Sequence, residues 1–523
     1  MNKTTRQNLY IALTYSITLI AGMFLGYKFL KDQGYIIQKT SAVSANHTAK
    51  VEEIIHLIDK NYVDEVNIDT LSHLPIDSLL HQLDPHSNYL PPDKATAQQE
   101  SLEGNFEGIG IEYYILNDTL LVTNVVRDGP AYSAGVKVGD RILKIDQVKV
   151  SGQKLAKADM IGKIKGKKGT PVQLVMLRPG GIKPLMLSIK RGKVRVSSID
   201  ASYMLNPATG YIRISRFGAN TDLEFRDSLA VLMSKGMTKL VLDLRDNGGG
   251  YLSAATGLAN QFFAENELIV YTEGKHEPRT DYIATGGGLF ERGKLAVLIN
   301  ENTASASEIL AGAVQDLDRG VIIGRRSFGK GLVQEQFPFG DGSALNLTIA
   351  RYYTPRGRSI QKSYKEGYAA YQHEVDERFD EDELTAVKKI KKLKPKEIDG
   401  GGIHPDIYVK MDTAGTNKFY QNLLTQKILF DFVYDVLGTK YQQQYLEKNI
   451  SNFSISTSDF SLFIKYLERK KITIDYLQLQ AAKMVISNDL RVLLYKYHLG
   501  DAGYFKALNQ HDQTIKQALT SLK

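Results

Sequence analysis

The stretch "KLAVLINENTASASEILAGAVQDLD" (294–318) contains the change of pattern that decides the fold. Its first part, "KLAVLIN" (294–300), is an apolar run of strand length, and its last part, "SASEILAGAVQDLD" (305–318), repeats apolar residues at helical spacing. Small and polar residues join the two parts. A buried strand that turns directly into a helix is the repeating unit of an α/β layer, so this stretch predicts a largely parallel sheet covered by helices.

The same alternation extends from residue 196 to residue 410. Predicted strands are "GYIRISRF" (210–217), "KLVLDLR" (239–245) and "GVIIG" (320–324), and predicted helices are "NTDLEFRDSLAVLMSKG" (220–236) and "SAATGLANQFF" (253–263). Ligand sites in such sheets lie where strands end and helices begin.

The regions on either side have other patterns. Residues 36–104 are polar and helical, whereas residues 105–193 contain short apolar or alternating runs that predict a β-rich module. Residues 411–523 are predicted to be all-helical and to serve as a docking, capping or dimerisation element. The chain is thus an α/β multidomain protein in five parts: 1–35, 36–104, 105–193, 194–410 and 411–523.

Two long helices are predicted within the last part. Apolar residues from Phe419 to Val436 recur at helical spacing, and Gly438 follows where the helix is expected to end. The segment "DYLQLQAAKMVISNDLRVLLYKYHLG" (475–500) predicts the second helix.

The N-terminus predicts a membrane segment. Lys3 and Arg6 precede a mostly apolar run from Leu9 to Leu25, and the basic residues favour an N-terminus that stays inside. We interpret residues 1–35 as an uncleaved signal anchor in the inner membrane, with the catalytic part in the periplasm. A cleaved signal peptide and a buried helix are the alternatives.

Composition limits the possible chemistry. The 523 residues include no cysteine, which excludes thiol catalysis, disulfides and zinc sites with cysteine ligands. A net charge of +8 over so long a chain is typical of a solvated surface, so we expect no nucleic-acid partner. We predict neither a metal nor a cofactor.

Three hydroxyl side chains follow the strand at 294–300: Thr303, Ser305 and Ser307. Ser305 with Glu308 three residues later is the pattern of a capping box at a helix start. A serine at that place is also favoured as a nucleophile, because the positive end of the helix dipole stabilises a developing anion. This stretch alone does not decide between the two roles.

A serine nucleophile needs a base that takes its proton. No histidine of the α/β region falls at a strand end, so a Ser-His-Asp triad is not suggested, although it is not excluded. Lys330 lies between two glycines and close to Phe328. A lysine acts as a base only when its pKa falls from about 10.4 to near 7, which requires about 4 kcal/mol, and burial can supply this. An ordinary surface lysine is the alternative.

Two further features are compatible with catalysis, although the second, a run of glycines, is a weak signal alone because phosphate-binding loops look similar. In an extended segment Gln334 faces the same side as Lys330 and could hold its amine without restoring a charge. The segment "LDLRDNGGGYL" (242–252) ends a predicted buried strand in three glycines, whose N–H groups can approach an anion closely.

These motifs together resemble those of the carboxyl-terminal processing proteases, also called tail-specific proteases, which use a serine-lysine dyad. The similarity covers about residues 50–410 and rests on the motifs "LDPHSNYL", "DGPAYSAGVKVGDRILKID", "LVLDLRDNGGGYL", "NTASASEILAGAVQD", "GRRSFGKGLVQ", "RYYTPRGRSIQ" and "GGGIHPDI". It implies that 105–193 is a PDZ domain placed before a layered protease core of crotonase/ClpP type. The C-terminal region lies outside the similarity.

The resemblance also implies individual roles. Ser305 would be the nucleophile, Lys330 the general base and Gln334 the residue that orients the lysine. The N–H groups of Ala306 and Gly250 would form the oxyanion hole. The PDZ loop that holds a peptide carboxylate would be "GIGI", made of Gly108, Ile109, Gly110 and Ile111.

We therefore expect a serine endopeptidase that binds protein C-terminal tails and cleaves them through an acyl-enzyme. A catalytically silent, membrane-tethered PDZ scaffold is the alternative from another class, and acyl-CoA chemistry on the same layered fold is a third. The sequence leaves the oligomeric state open, with a homo-oligomer among the options.

Overall fold

The computed structural model describes residues 47–71, 75–153, 157–380, 398 and 400–523. The predicted signal anchor at 1–35 lies outside these ranges and stays a prediction. Within them, no helix combines the length and the hydropathy that a membrane span requires.

The first part of the described chain is a group of helices. It comprises α1 (His47–Asn61), α2 (Ile68–Leu71), α3 (Ile76–Leu83), the short strand β1 (Asn88–Leu90) and α4 (Pro92–Glu103). Apolar side chains of α1 and α3, such as Ile54 and Leu79, form one buried cluster with Leu345 and Leu347. The N-terminal helices therefore cover a sheet of the α/β region and are not a separate body.

The β-rich module follows directly. Its elements are β2 (Asn105–Gly108), β3 (Ile111–Leu116), β4 (Thr119–Val125), α5 (Pro130–Ser133), β5 (Arg141–Ile145), β6 (Val148–Lys149), α6 (Lys157–Ile164), β7 (Pro171–Leu177), β8 (Leu185–Lys190) and β9 (Gly192–Arg195). The antiparallel sheet has the order β3-β4-β5-β7-β8, so β3 is an edge strand. Strands β2 and β9 pair with each other and close the module where it enters and leaves the rest of the chain.

The α/β region contains the two sheets that carry the site. Its elements are β10 (Ile199–Asn206), β11 (Thr209–Ile214), α7 (Thr221–Ser234), β12 (Lys239–Asp243), α8 (Leu252–Ala259), β13 (Leu268–Glu273), β14 (Thr280–Ile283), β15 (Lys294–Ile299), α9 (Ala306–Asp316), β16 (Val321–Gly324), β17 (Leu332–Pro338), β18 (Ala344–Tyr353), α10 (Tyr368–Asp380) and β19 (Ile407–Tyr408). The first sheet has the order β10-β11-β12-β15-β16-β19 and is parallel from β11 onward, as the alternation predicts.

The second sheet is antiparallel. Strands β1, β18, β13 and β14 lie side by side, and β17 pairs with β18. One buried core contains residues from both sheets and from α7, α8 and α9. Helix α9, which begins after Ser305, is buried along its whole length, so its apolar residues hold the two sheets in a fixed arrangement.

The C-terminal region is helical, as expected, but neither predicted long helix is continuous, and the second is divided at Ala482. The observed elements are α11 (Lys418–Thr425), α12 (Ile428–Phe432), a π-helical turn (Val433–Leu437), α13 (Gly438–Lys440), α14 (Gln443–Lys448), α15 (Thr457–Arg469), α16 (Tyr476–Ala481), α17 (Lys483–Leu508) and α18 (Gln513–Ser521). Lys427 adopts a left-handed conformation with φ 56°, which ends the helix, and Gly438 continues helical backbone where it was expected to stop it. Hydrophobic periodicity follows the buried face only, so it does not detect a break of one or two residues.

This region completes the α/β layer. Phe505, Ile515, Ala518 and Leu522 form a buried cluster with residues of the parallel sheet, among them Tyr211, Val241, Ala296, Leu298 and Ile323. The side chain of Asp512 pairs with Arg245 at 2.6 Å. Helices α17 and α18 thus cover the second face of the sheet, which would otherwise expose apolar side chains to water.

The same region also packs against the β-rich module. Leu116 and Leu121 belong to the buried cluster of the C-terminal helices, and the rings of Tyr114 and Phe430 meet edge to face at 4.8 Å. Arg141 pairs with Asp435. The C-terminal helices therefore contact both the module and the parallel sheet.

We predict that Ile515→Ala lowers the free energy of unfolding by about 2–5 kcal/mol, because it leaves a cavity against the parallel sheet. Ile515 is 2% exposed, whereas Lys516 beside it is exposed, so Lys516→Ala is the control. Urea unfolding followed by circular dichroism at 222 nm measures both. Equal stabilities of the two variants would contradict the role given to α18.

Candidate active site

The candidate nucleophile lies where β15 ends and α9 begins. Ser305 is the N-cap residue of α9 and has φ 57°, a left-handed conformation that is uncommon outside glycine and is frequent at functional sites. Its N–H donates to Glu308 Oε2 at 2.8 Å, which is the reciprocal half of the predicted capping box. The helix start and a presented serine are therefore features of the same turn.

The other two hydroxyls join this turn to the glycine-rich loop after β12. Thr303 Oγ1 donates to the carbonyl of Leu244 at 2.9 Å, and Ser307 Oγ donates to the carbonyl of Asn247 at 3.0 Å. The N–H of Ala304 donates to that same Asn247 carbonyl at 3.0 Å. Both hydroxyls are buried, and their bonds fix the distance between the serine turn and the glycine loop.

The glycine loop lies against the serine. A side-chain carbon at Gly249 would come within 2.8 Å of Ser305 Cβ and 2.9 Å of the Ala306 nitrogen, so only glycine fits there. The N–H of Gly249 donates to Asn247 Oδ1 at 2.9 Å. No acceptor among the described residues takes the N–H of Gly250 or of Ala306, and both residues line the same cleft as Ser305. These two N–H groups are the ones that the resemblance assigns to an oxyanion hole.

The lysine and the glutamine lie in contact. Lys330 Nζ donates to Gln334 Oε1 at 2.7 Å, and Gln334 Nε2 donates to the carbonyl of His86 at 2.5 Å. A β-bulge between Val333 and Gln334 locally changes the alternation of β17. Because its amide nitrogen is held by a carbonyl, Gln334 can offer only its oxygen to the lysine.

The turn that supplies this carbonyl comes from "LDPHSNYL" (83–90). Asp84 is buried, and its carboxylate accepts the N–H groups of His86 and Ser87, both at 2.8 Å. Burial lowers the pKa of His86 to about 3, so the imidazole is neutral beside the lysine. His86 thus contributes to the site through its backbone carbonyl, which accepts the amide of Gln334.

The pKa of the lysine is shifted toward physiological pH. Burial lowers the pKa of Lys330 to about 8, although the carboxylates of Asp84 and Glu308 oppose this shift. The neighbouring arginines do not contribute, because Arg325 pairs with Glu301 and Arg326 pairs with Glu374.

Glu308 connects the serine turn to the lysine loop. Besides the N–H of Ser305, its carboxyl group accepts the N–H of Gly329 at 2.8 Å, the N–H of Lys330 at 2.9 Å and the hydroxyl of Ser327. The carboxyl group is completely buried, and burial raises its pKa to about 7 against the effect of these four donors. Four donors on two oxygens favour the carboxylate form.

Tyr352 makes a second connection between the same segments. Its hydroxyl lies 3.1 Å from the carbonyl oxygen of Ser305 and also contacts the carbonyl oxygen of Lys330. The tyrosine belongs to β18, so the antiparallel sheet also contributes to the position of the nucleophile.

Sequence reasoning missed three of these contributions: the bridging role of Glu308, the hydroxyl of Tyr352 and the carbonyl of His86. Glu308 was identified only as a capping residue, because its other three donors lie about 20 positions further on. Tyr352 belongs to the motif "RYYTPRGRSIQ" and His86 to "LDPHSNYL", both of which carry the family resemblance. Their place in these motifs was the one sequence signal for a role in the site.

The predicted residues Ser305, Lys330, Gln334, Ala306 and Gly250 all line one cleft of about 930 Å³. Apolar side chains dominate the rest of its wall, including Leu102, Tyr251, Leu252, Ile309 and Leu332. No cluster of His, Asp or Glu that could hold a metal occurs among the described residues. The arrangement suits acyl transfer from an extended polypeptide.

The predicted carboxylate loop lies at the start of the edge strand β3. Gly108 ends β2, Gly110 has φ 82°, and Ile111 begins β3. Ile109 is buried, and no acceptor in the described part of the chain takes the N–H of Ile109 or Gly110. Two free N–H groups beside an open strand edge suit a peptide C-terminus that pairs with β3.

Comparisons with known proteins identify two families along the chain. Residues 208–367 match the model of peptidase family S41, and residues 108–190 match that of the PDZ domain. The chain is 37% identical over 349 residues to a carboxy-terminal-processing protease of Bartonella bacilliformis, covering 66% of this chain and 80% of that protein. It is 32% identical over 354 residues to a CtpA-like serine protease of Staphylococcus aureus, covering 67% and 68% of the two chains.

Among solved structures, the chain is similar to a photosystem II D1 C-terminal processing protease. The identity is 27% with a TM-score of 0.38, and the alignment covers 70% of this chain and 94% of that one.

If Lys330 is the base, we predict that kcat/KM for peptide cleavage rises with pH through about 8 and then levels off, because only the neutral amine could accept a proton. Gln334→Glu would place a carboxylate on the amine, raise the lysine pKa and move this rise to higher pH. Gln173→Glu adds the same charge on an exposed position of β7, outside the cleft lining, and is the control. A Gln334→Glu profile that matches the wild-type profile would contradict the assignment.

Proposed function

Because the chain belongs to peptidase family S41, we propose that this serine peptidase cleaves its substrates with a dyad of Ser305 and Lys330. The observation that carries the proposal is the environment of the lysine. Its amine is held by the uncharged oxygen of Gln334 inside the cleft that Ser305 also lines, and burial lowers its pKa to about 8. An amine in this state can act as a base near neutral pH.

In the proposed mechanism, Lys330 takes the proton of Ser305 Oγ as the oxygen attacks the scissile carbonyl. The N–H groups of Ala306 and Gly250 stabilise the resulting oxyanion. The protonated amine then gives its proton to the leaving nitrogen. A water molecule, activated by the lysine, releases the acyl group from Ser305 in the second half of the reaction.

The strained turn at Ser305 supports this role. A helix N-terminus favours negative charge, and the two N–H groups are already fixed by the bonds of Thr303 and Ser307 to the glycine loop. The donors therefore need little reorganisation when the charge develops. A catalytically silent scaffold would not require the intact set of serine, lysine and glutamine.

We predict that Ser305→Ala and Lys330→Ala each lower kcat for an unfolded protein substrate by at least about 1,000-fold, because each removes a group that the reaction requires. Ser234→Ala and Lys235→Ala, at the exposed end of α7, are the matched controls. Gel analysis of the products and circular dichroism separate lost chemistry from lost folding. Substantial activity of Lys330→Ala would rule out the dyad.

We propose further that the PDZ domain binds the C-terminal tail of the substrate. The tail would add to the open edge of β3, with its carboxylate at the N–H groups of Ile109 and Gly110. Met160 and Ile164 of α6 share a buried cluster with Ile109 and Ile111, so this helix would form the other side of the groove.

We predict that amidation of a substrate's C-terminus raises KM about tenfold or more with little effect on kcat, because a charge-assisted contact to the loop is lost. Steady-state kinetics with the free-acid and amidated forms of one protein tail measure the effect. Equal KM values for the two forms would exclude tail capture through a carboxylate.

A further inference from the structure

The charges along the cleft are unequal. Of the described residues in its lining, Lys330 and Arg216 are basic and none is acidic. The amine of Lys330 is engaged by Gln334 and has a lowered pKa. Arg216 is therefore the group in this lining that stays positively charged at any physiological pH.

Arg216 forms no ion pair among the described residues, although it also lines a second cavity together with the acidic residues Asp200 and Glu224. No carboxylate in the described part of the chain lies within ion-pair distance of the Arg216 guanidinium. Asp200 lies beyond that distance, although the charge of Arg216 still acts on its pKa. One terminal nitrogen, Nη2, donates to the carbonyls of Val196 at 2.7 Å and Ser197 at 3.3 Å. The Nε–H is buried and has no partner among the described residues. A buried donor of a charged group is costly until an acceptor reaches it.

The position of Arg216 places it near the reacting bond. The next residue, Phe217, pairs with Gly250, and Gly249 packs against Ser305. Paired chains lie about 4.8 Å apart, and an extended peptide advances about 3.3 Å per residue. The backbone of Arg216 thus lies beside the residue that pairs with the glycine loop, and its side chain lines the same cleft as Ser305.

We propose that Arg216 binds a carboxylate of the substrate within a few residues of the scissile bond and so selects substrates with Asp or Glu there. The inference rests on the proposed peptidase function. A PDZ-bound tail has its terminal carboxylate occupied, which leaves an acidic side chain as the ligand for Arg216. A short substrate with a free C-terminus has the same chemistry, and the test distinguishes the two sources.

The test uses three sets of short fluorogenic peptides with one common cleavable sequence. The first is neutral and amidated, the second is amidated with one Gln near the scissile bond replaced by Glu in a positional series, and the third is neutral with a free carboxylate. The enzymes are the wild type, Arg216→Gln and Arg216→Lys. Arg195→Gln is the control, because Arg195 is exposed and lies outside the cleft lining.

We expect the wild type and Arg195→Gln to prefer a Glu peptide over the neutral one by about tenfold or more in kcat/KM, the magnitude of a charge-assisted hydrogen bond. Arg216→Gln should lose this preference while still cleaving the neutral peptide, and Arg216→Lys should keep part of it. The amidated peptides have no terminal carboxylate for the PDZ loop, so the PDZ domain does not contribute to this comparison. A purely structural role of Arg216 would slow all peptides equally.

The proposal is overturned if Arg216→Gln retains the wild-type preference, if no position in the Glu series is preferred, or if only the free-acid peptide responds to Arg216. The proposed function is judged separately, by whether the wild type cleaves the neutral peptide and Ser305→Ala does not.

Discussion

The buried carboxylate of Glu308 is the constraint on which the catalytic arrangement depends. Ser305 follows a strand of the parallel sheet, whereas Lys330 precedes a strand of the antiparallel sheet, and no continuous element joins them. Glu308 accepts the N–H of each residue and two further donors of the lysine loop. Removing one partner of such a buried charged network leaves the others unsatisfied, so its members hold one another in place.

The lysine environment shows how opposing electrostatic effects are balanced. Glu308 holds the loop by accepting backbone N–H groups, and these donors offset much of its negative charge. The remaining charge still raises the pKa of Lys330. The amine itself is bonded to an amide oxygen, which orients it and adds no charge. Burial is the larger effect, and the lysine titrates near 8. A carboxylate in the place of Gln334 would reverse this result.

The C-terminal helices have a structural role that extends to the site. They cover one face of the parallel sheet, and Asp512 pairs with Arg245, which stands just before the glycine loop. They also contact the PDZ domain through Tyr114, Leu116 and Arg141. The region therefore stabilises both the sheet that carries Ser305 and the position of the PDZ domain relative to it.

The sequence by itself determined the alternation of strands and helices and the place of Ser305 at a helix start, and its resemblance to a known family pointed to Lys330 and Gln334. These features depend on local patterns or on fixed separations along the chain. Only the tertiary structure decided the other three donors of Glu308, the hydroxyl of Tyr352, the carbonyl of His86 and the covering of the sheet by α18. Each of these joins residues that are distant in sequence, and such contacts depend on how whole elements pack, which local patterns do not encode.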